Sequence, residues 1–317
     1  MSEFDLIRRH FTRPTPGTLL GVGDDAALLQ VGSGRVLAVS SDMLVCGTHF
    51  FADADPRLLG HKTLAVNLSD LAAMGAVPRW ATLALALPSA DEAWLEQFSA
   101  GFFALASVYG VELVGGDTTR GPLNLCVTIM GEVDATQALR RSGAQPGDEI
   151  WVSGKLGDAA LALAHLQGHV ALSADEFAAC APALHQPQPR VALGLALCGI
   201  ANSAIDISDG LLADLAHILD ASQVGAELDL SAIPVSAIMQ VHLDRPTGFQ
   251  CVLSGGDDYE LCFTVPVSRH ADVLRIGEQL DLPLTRIGSV VAGRGCIVRD
   301  AAGNLINQES SGYDHFR

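Results

Sequence analysis

The sequence has few lysines, few aromatic residues and no long apolar run. Lys62 and Lys155 are its only lysines, aromatic residues make up 5% of the 317 positions, and 36 acidic residues outnumber 19 basic ones, for a formal charge of −17. Such a surface repels nucleic acid backbones and anionic membranes, so the composition predicts neither as a partner. With so few cations, an anionic ligand would have to be neutralised by bound metal ions.

No segment resembles a membrane span or a secretion signal. The longest stretch without Asp, Glu, Lys or Arg is Ala159–Ala174, whose 16 residues are too few and too polar to cross a bilayer. The first residues, MSEFDLIRRHF, place charges where a signal peptide needs its apolar core. Seven cysteines occur without any CxxC pair, which favours reduced, buried thiols. These features predict a cytoplasmic protein.

The length and the apolar content indicate two folded domains. Hydrophobic residues account for 49% of the chain and charged ones for 17%, which is typical of globular proteins, and domains commonly hold ~100 to 200 residues. In the first half, apolar patterns predict the order strand, helix, strand, helix, strand, strand. The turn-rich segment RRSGAQPGDE at 140–149 predicts a boundary there, giving domains at 1–140 and 141–317.

The second half also mixes helical and strand patterns. Strands are predicted at IWVSG, AELDL, FQCVLSGGDDYELCFTVP, RIGSVVAG and GCIVRD. Helices are predicted after IWVSG and on to Cys198, after SAIDISDG, and near 268–280. The predicted fold class is therefore α+β, with two mixed α/β domains.

Aspartates repeatedly follow apolar, strand-like runs. They do so in LLGVGDDAALL, LAVSSDM, ELVGGDTTRG, SAIDISDG and CVLSGGDDYEL, and Asp70 lies on a helical pattern in LAVNLSDLAAMGA. Turn formation and helix capping would account for any one of them, since Asp before Gly readily forms such turns. Their repetition favours a shared function, because a carboxylate is costly to bury.

Clustered carboxylates flanked by Ser and Thr, without Cys or His, are typical ligands of a hard cation such as Mg²⁺. Because Mg²⁺ bridges carboxylates to phosphate oxygens, the pattern predicts a nucleoside triphosphate ligand. Calcium binding without catalysis is an alternative, although no EF-hand spacing occurs. The common nucleotide motifs are absent: Gly154-Lys155 lacks a following Ser or Thr, no GxGxxG follows a strand, and there is no HRD or DFG.

Eight motifs, in order along nearly the whole chain, resemble those of the thiamine-monophosphate kinases, in the aminoimidazole ribonucleotide synthetase superfamily. They are GVGDDAALL, SSDMLVCGTHF, KTLAVNLSDLAAMGA, VGGDTTRGPL, RSGAQPGDEIWVSG, AIDISDGLLADL, LSGGDDYELCF and the terminal GYDHF. The resemblance implies that the γ-phosphate of ATP is transferred directly onto thiamine monophosphate, giving thiamine diphosphate. It also implies several Mg²⁺ ions and a homodimer whose N-terminal domains pair into a shared β-barrel, with a C-terminal α/β sandwich.

The resemblance, applied motif by motif, implies three groups of site residues. The metal ligands would be Asp25, Ser40, Ser41, Asp42, Asp70, Asp117, Asp206 and Asp209, among which Asp42, Asp70, Asp117 and Asp206 would be catalytic. The ATP contacts would be Gly116, Asp117, Arg141 and Ser208. The thiamine substrate would contact His49, Asp257 and Tyr313.

Two of the substrate residues also have a simpler interpretation. His49, beside two phenylalanines, could be an ordinary packed histidine. Tyr313 could be only a tail anchor, although an aromatic face suits a cationic thiazolium ring. The chain departs from the family at Asp257, where Glu is usual, and at Ser41, where Thr is frequent. The shorter Asp257 carboxylate would then reach the substrate through a water molecule.

Elementary chemistry adds further expectations. Asn67 and Asp70, three apart on an apolar helix, favour a buried functional pair. Ser208 stands just before a predicted helix, whose first backbone N–H groups would attract phosphate. The two lysines are expected to face solvent.

Other functions within the superfamily are alternatives. Aminoimidazole ribonucleotide synthetase is the nearest of these. Selenophosphate synthetase and the hydrogenase maturation member use a reactive cysteine near one terminus, and this chain has none before Cys46 and ends in HFR. A non-catalytic ATP-sensing or metal-buffering protein would have lost some of the metal aspartates, and none is missing.

Overall fold

Two units, each with its own β-sheet, make up the part of the chain that the computed structural model describes, namely residues 3–243, 245–300 and 302–306. The first unit contains the described residues up to Leu71 together with Ala76–Thr136. The second contains Ala72–Gly75 and the described residues from Gln137 onward. Both units mix helices with strands, as the sequence predicts.

The first unit follows the predicted order of elements. A short helix α1 (Glu3–Leu6) continues into a wider turn at Ile7–Phe11, followed by β1 (Val36–Val45), α2 (Pro56–Ala73), β2 (Val77–Leu87), α3 (Glu92–Tyr109), β3 (Glu112–Arg120) and β4 (Asn124–Val133). The strand order is β1-β4-β2-β3, with β2 and β3 parallel and the other neighbours antiparallel. Helix α3 is the crossover that joins the parallel pair.

One face of this sheet forms the core of the first unit. Leu83 and Leu85 on β2, and Leu125, Val127 and Ile129 on β4, are at most 4% exposed. The residues between them on each strand are more accessible. This alternation is the period of two that a strand with one covered face requires.

Helix α2 has no broad solvent face, because all residues from Lys62 to Ser69 are buried. Lys62 is 4% exposed, so the expectation that it faces solvent is wrong. Neighbouring residues cover nearly every side of this part of the helix, so the side chain at position 62 is buried although it is a lysine. Lys155 is exposed, as expected.

The second unit contains the remaining elements. They are β5 (Glu149–Ser153), α4 (Asp158–Leu166), α5 (Ala174–His185), α6 (Val191–Leu197), β6 (Ser203–Asp206), α7 (Leu211–Ser222), β7 (Gly225–Asp229), α8 (Ala237–His242), α9 (Pro246–Ser254), β8 (Leu261–Val265), α10 (His270–Leu280), β9 (Leu284–Val291) and β10 (Gly295–Arg299). The sheet order is β10-β7-β9-β5-β8-β6, antiparallel except between β10 and β7. Its buried apolar side chains form one continuous core with those of the helices.

The prediction of one long strand through FQCVLSGGDDYELCFTVP is wrong in its first part. Residues up to Ser254 belong to helix α9, and the strand β8 begins only at Leu261. A short apolar run does not distinguish a buried helix from a buried strand. Pro246 at the first helical position was the signal for a helix. Within the described ranges, no helix is both long enough and apolar enough to span a membrane.

Candidate active site

Two hydrogen bonds join β1 to α2 at residues that the sequence predicts for the site. Ser40 and Asp42 lie on the same face of β1 as Leu44, which is 4% exposed. The Ser40 hydroxyl donates a short hydrogen bond to Asp70 Oδ2, and the backbone N–H of Asp42 donates to Asn67 Oδ1 at 3.2 Å. We call Ser40, Asp42, Asn67 and Asp70 the β1–α2 cluster.

The periods of the two elements explain this cluster. Residues two apart on a strand share a face, and residues three apart on a helix share a face. Asn67 is 1% exposed, and its side-chain amide also donates to the Thr63 carbonyl at 3.0 Å. The sequence-based expectation of a buried pair is therefore met at Asn67 only, because Asp70 is half-buried.

Ser41 lies on the opposite face of β1. Its hydroxyl donates to the Val127 carbonyl at 3.1 Å and lies 3.0 Å from the Thr128 hydroxyl. Because consecutive strand residues point to opposite faces, the structure does not bring the Ser41 side chain into the β1–α2 cluster.

Gly116 and Asp117 lie on β3. Gly116 has φ 152°, and a Cβ there would lie 1.9 Å from the Leu83 carbonyl oxygen, so strand packing alone requires glycine. Asp117 is exposed and in register with exposed Ala84, on the sheet face away from the core. The structure does not bring Asp117 into the β1–α2 cluster, and its contacts with nucleotide and metal stay predictions.

Asp25 and His49 lie in loops of the first unit. Asp25 is exposed, within a loop whose ends pair through Leu20 and Leu28. His49 is half-buried in the turn after β1, and its Nδ1 accepts the backbone N–H of Val45 at 3.0 Å. That acceptor role leaves the ring proton on Nε2 and fixes the orientation of the ring.

Three of the predicted residues lie between β6 and α7 in the second unit. Asp206 ends β6 and is 6% exposed, while the side chains of Ser208 and Asp209 are half-buried in the following bend. The backbone N–H groups of Ser208, Asp209 and Gly210 donate to Asp214 Oδ2 at 3.0, 3.0 and 3.2 Å. These three N–H groups already have an acceptor within the chain, and the attraction of phosphate by the N–H groups at the start of α7 stays a prediction.

Sequence reasoning missed Asp214. It is 3% exposed, and its pKa is raised to about 6, chiefly by burial and also by the neighbouring charge of Asp209, against the lowering effect of the backbone N–H groups. The available signal was an aspartate on the buried face of α7, four residues after Gly210, where the first turn of a helix favours an acid.

Asp257 begins a segment that packs against this bend. The backbone N–H of Asp257 donates to the Ser208 carbonyl at 2.9 Å, and that of Tyr259 donates to the Ile207 carbonyl at 2.8 Å. Asp257 and Tyr259 have φ of 71° and 49°, and the Tyr259 hydroxyl donates to Asp257 Oδ1 at 3.0 Å. The structure thus joins the predicted nucleotide residue Ser208 to the predicted substrate residue Asp257.

The two other acids of this segment have structural partners. Asp258 accepts the backbone N–H of Gly157, at the start of α4, at 2.9 and 3.1 Å, and burial raises the pKa of Asp258 well above its usual range. Glu260, 6% exposed, accepts a hydrogen bond from Arg190 Nε at 2.6 Å and one from the Ser153 hydroxyl at 2.5 Å.

The remaining predicted residues stay predictions. Arg141 is exposed before β5, and its carbonyl accepts the Ser222 hydroxyl at 3.4 Å. Tyr313 lies outside the described residues. Among the described residues, no group of three or more His, Cys, Asp or Glu side chains is placed to hold a metal ion.

Comparison with known proteins identifies the chain. Residues 23–133 match the AIR synthase related protein, N-terminal domain, and residues 145–301 match the AIR synthase related protein, C-terminal domain. The chain is 49% identical over 321 residues to the thiamine-monophosphate kinase of Escherichia coli strain K12, covering 99% of this chain and 98% of that protein.

Solved structures agree with this match. The crystal structure of thiamine-monophosphate kinase from Stenotrophomonas maltophilia K279a is similar with a TM-score of 0.86 and 49% identity, over 96% of both chains. The structure of AaThiL complexed with AMPPCP and TMP has a TM-score of 0.79 and 30% identity, over 99% of this chain and 96% of that one. The chain therefore belongs to the thiamine-monophosphate kinase family, within the AIR synthase related proteins, and is a kinase.

Proposed function

We propose that this protein phosphorylates thiamine monophosphate with ATP, giving thiamine diphosphate by in-line transfer of the γ-phosphoryl group, as a cytoplasmic enzyme of thiamine diphosphate biosynthesis. The observation that carries the proposal is the β1–α2 cluster, in which Asp70 accepts a hydrogen bond from Ser40 and Asn67 accepts the backbone N–H of Asp42. The family membership and the AaThiL complex with AMPPCP and TMP support the choice of both substrates.

The donor chemistry of the β1–α2 cluster fits Mg²⁺. The cluster offers two carboxylates, a hydroxyl and an amide oxygen, without nitrogen or sulfur ligands. Mg²⁺ is commonly held by one or two carboxylates together with phosphate oxygens and water. Two carboxylates are therefore enough for an ion that a polyphosphate also binds. Asp42 and Asp70 would hold one such ion, and Asp206 and Asp209 another. When bound, these ions would neutralise phosphate charge.

The chain's own residues bind and orient the two substrates. The acceptor phosphate is already ionised near neutral pH, so the transfer needs positioning and charge compensation more than a general base. Asn67 fixes the backbone at Asp42. The exposed Arg141 guanidinium offers paired donors to a phosphate, and the fixed His49 ring directs Nε2 away from the Val45 amide.

The proposal is tested by incubating the protein with Mg²⁺, ATP and thiamine monophosphate and measuring thiamine diphosphate by mass spectrometry. We expect stoichiometric ADP and thiamine diphosphate, and negligible product when free thiamine replaces the monophosphate, because a hydroxyl acceptor would need deprotonation. Equal rates on both acceptors would indicate an alcohol kinase. ATP binding without any product from thiamine monophosphate would favour the sensing protein or the aminoimidazole ribonucleotide synthetase alternative.

The first unit also has a surface suited to a second copy of the chain. Strand β1 is an edge of the sheet, and its Val39 and Met43 side chains are 57% and 53% exposed. They pair in register with half-buried Met130 and Cys126, so the open face carries two apolar pairs, one on each side of Ser41 and Thr128. Exposed apolar faces and unpaired edges mark interfaces. We therefore propose a homodimer in which two such sheets pair into a shared β-barrel.

Light scattering on the purified protein tests the dimer. We expect twice the chain mass for the unaltered protein and a monomer for Val39→Glu, with Val267→Glu, at an exposed position of the second unit, as the matched control. A monomeric unaltered protein at micromolar concentration would exclude the dimer.

A further inference from the structure

The bend between β6 and α7 is held by the side chain of Asp214, a residue of the helix that follows it. A helix is normally capped by Ser, Thr, Asp or Asn immediately before its first residue. Here that position is Gly210, which has no side chain to offer. Asp214, in the first turn of α7, instead points back to the bend, and one of its oxygens accepts the N–H groups of the three residues before the helix.

Local packing explains why the usual cap is missing. Gly210 has φ 116°, and a Cβ there would lie 2.7 to 2.8 Å from backbone atoms of Ser254. Any larger residue at 210 would therefore displace α9. Gly210 therefore offers no side-chain acceptor, and the bend relies on the buried carboxylate of Asp214, although burial disfavours the charged form.

The bend is held from two sides. On the inner side Asp214 fixes the N–H groups of Ser208 and Asp209. On the other side the Ser208 carbonyl accepts the N–H of Asp257, and a Cβ on Gly256 would lie 2.4 Å from that carbonyl oxygen. With both peptide groups of Ser208 fixed, the half-buried side chains of Ser208 and Asp209 have a defined direction.

We propose that Asp214 is a positioning residue for phosphoryl transfer, which holds Ser208 and Asp209 in the geometry that receives the nucleotide. This inference rests on the proposed function, with Asp209 at a metal ion and with Ser208 at ATP, as the family resemblance implies. Asp214 acts through the bend, because its Oδ2 accepts the three backbone N–H groups.

The test compares Asp214→Ala and Asp214→Asn with Asp220→Asn, which removes an exposed carboxylate from the last turn of the same helix. Hydrogen exchange of the amides of residues 208–210, measured without metal or nucleotide, reports on the bend. Calorimetry with Mg²⁺ and the ATP analogue AMPPCP reports on affinity, and steady-state kinetics gives KM and kcat.

We expect Asp214→Ala to exchange these amides faster and to weaken AMPPCP binding and raise the KM for ATP by about tenfold, because three donors lose a charged acceptor. Asp214→Asn should have amide exchange rates, AMPPCP affinity and a KM for ATP between those of Asp214→Ala and the unaltered protein, since an amide oxygen can still accept hydrogen bonds. Asp220→Asn should match the unaltered protein. The KM for ATP should change more than kcat.

Unchanged AMPPCP affinity and KM for ATP in Asp214→Ala, with only a lower melting temperature, would overturn the proposal and leave Asp214 with a role in stability alone. If the Ala variant does not fold, an Asn variant indistinguishable from the unaltered protein overturns it equally. Failure of the proposed function is separate: the unaltered protein would then form no thiamine diphosphate, while amide exchange and AMPPCP binding would still decide the role of Asp214.

Discussion

The backbone carbonyl of Ser208 accepts the backbone N–H of Asp257 at 2.9 Å. The family resemblance assigns Ser208 to ATP and Asp257 to the thiamine substrate, so one backbone hydrogen bond would connect the binding residues of the two substrates. Asp257 also has a left-handed backbone, and its carboxylate is oriented by the Tyr259 hydroxyl. A mutational test of Asp257 must therefore distinguish the loss of its carboxylate from the strain that a new residue would have in this left-handed conformation.

Asp257→Asn should raise the KM for thiamine monophosphate more than it lowers kcat, at an unchanged melting temperature. Asn tolerates the left-handed conformation and retains an acceptor for Tyr259, whereas it lacks the charge that a cationic thiazolium favours. Asp257→Ala should also lower the melting temperature, because Ala in this conformation costs about 1 to 2 kcal/mol. Asp257→Glu should leave the KM unchanged or lower it.

Steady-state kinetics and a melting curve on the same three variants distinguish these effects. A destabilised Ala variant beside an Asn variant of unaltered KM would show that Asp257 only supports the turn at Gly255 and Gly256.

Asp42→Asn and Asp70→Asn should reduce phosphoryl transfer to about a thousandth or less, since each removes a proposed Mg²⁺ ligand. Both variants should fold, because the Ser40 hydroxyl and the Asn67 amide keep polar partners in the β1–α2 cluster. Without metal, melting temperatures should hold or rise, as carboxylate repulsion falls. Asp53→Asn, an exposed site before α2, is the matched control. Activity retained at saturating Mg²⁺ would remove that aspartate from the mechanism.

Much of the first unit could be predicted from sequence, because its elements are long and strongly periodic. The β1–α2 cluster could be predicted in part: a period of two already implies that Ser40 and Asp42 share a face, and that Ser41 does not. The family resemblance implies that Ser40, Ser41 and Asp42 are all metal ligands, because a sequence motif does not show which face of a strand a side chain occupies.

The less predictable features depend on tertiary packing. The helix α9 looks like a strand in sequence because its apolar run is short. The burial of Lys62 follows from the enclosure of α2, and Ser254 leaves no room for a side chain at Gly210, next to the bend that Asp214 holds. Ser254, for example, is far from Gly210 in sequence, so the contact between them has no local signal.

The last acid of the GGDDYE motif, Glu260, should govern stability through Arg190. The two side chains form a bidentate ion pair with mostly buried partners, and the Ser153 hydroxyl completes it. Arg190→Met should destabilise the protein by about 3 to 5 kcal/mol, because it leaves an uncompensated buried carboxylate.

The double variant Arg190→Met with Glu260→Gln should recover part of that loss in urea unfolding. Arg299→Met, at an exposed pair with Glu227 at 3.6 Å, should cost less than about 1 kcal/mol. If the changes in the free energy of unfolding caused by Arg190→Met and Glu260→Gln simply added in the double variant, the two side chains would not form a coupled pair.

Glu132 should make stability depend on pH. It is 8% exposed on β4, and its carboxylate accepts the backbone N–H of Gly32 at 2.6 Å and Arg79 Nε at 3.0 Å. The Gly32 N–H, followed by Arg79, lowers the pKa of Glu132 below its ordinary value of 4.5, although burial opposes the shift. Gly32 follows the loop that carries Asp25, so this contact also anchors that loop to the sheet.

The sign follows from linkage. A carboxyl whose pKa is lower in the folded state binds fewer protons there, so its stabilisation is complete above pH 4.5 and declines as the pH falls through the folded pKa. Glu132→Gln should therefore lower the free energy of unfolding by about 1 to 3 kcal/mol at pH 7, through loss of charged hydrogen bonds. The difference from the unaltered protein should narrow below pH 4.5. Glu227→Gln, at the exposed pair, should show little difference at any pH. Urea unfolding in buffers from pH 7 down to about pH 3.5 measures both variants, and a Glu132→Gln difference that stays constant over this range would mean that the ionised carboxylate does not stabilise the fold.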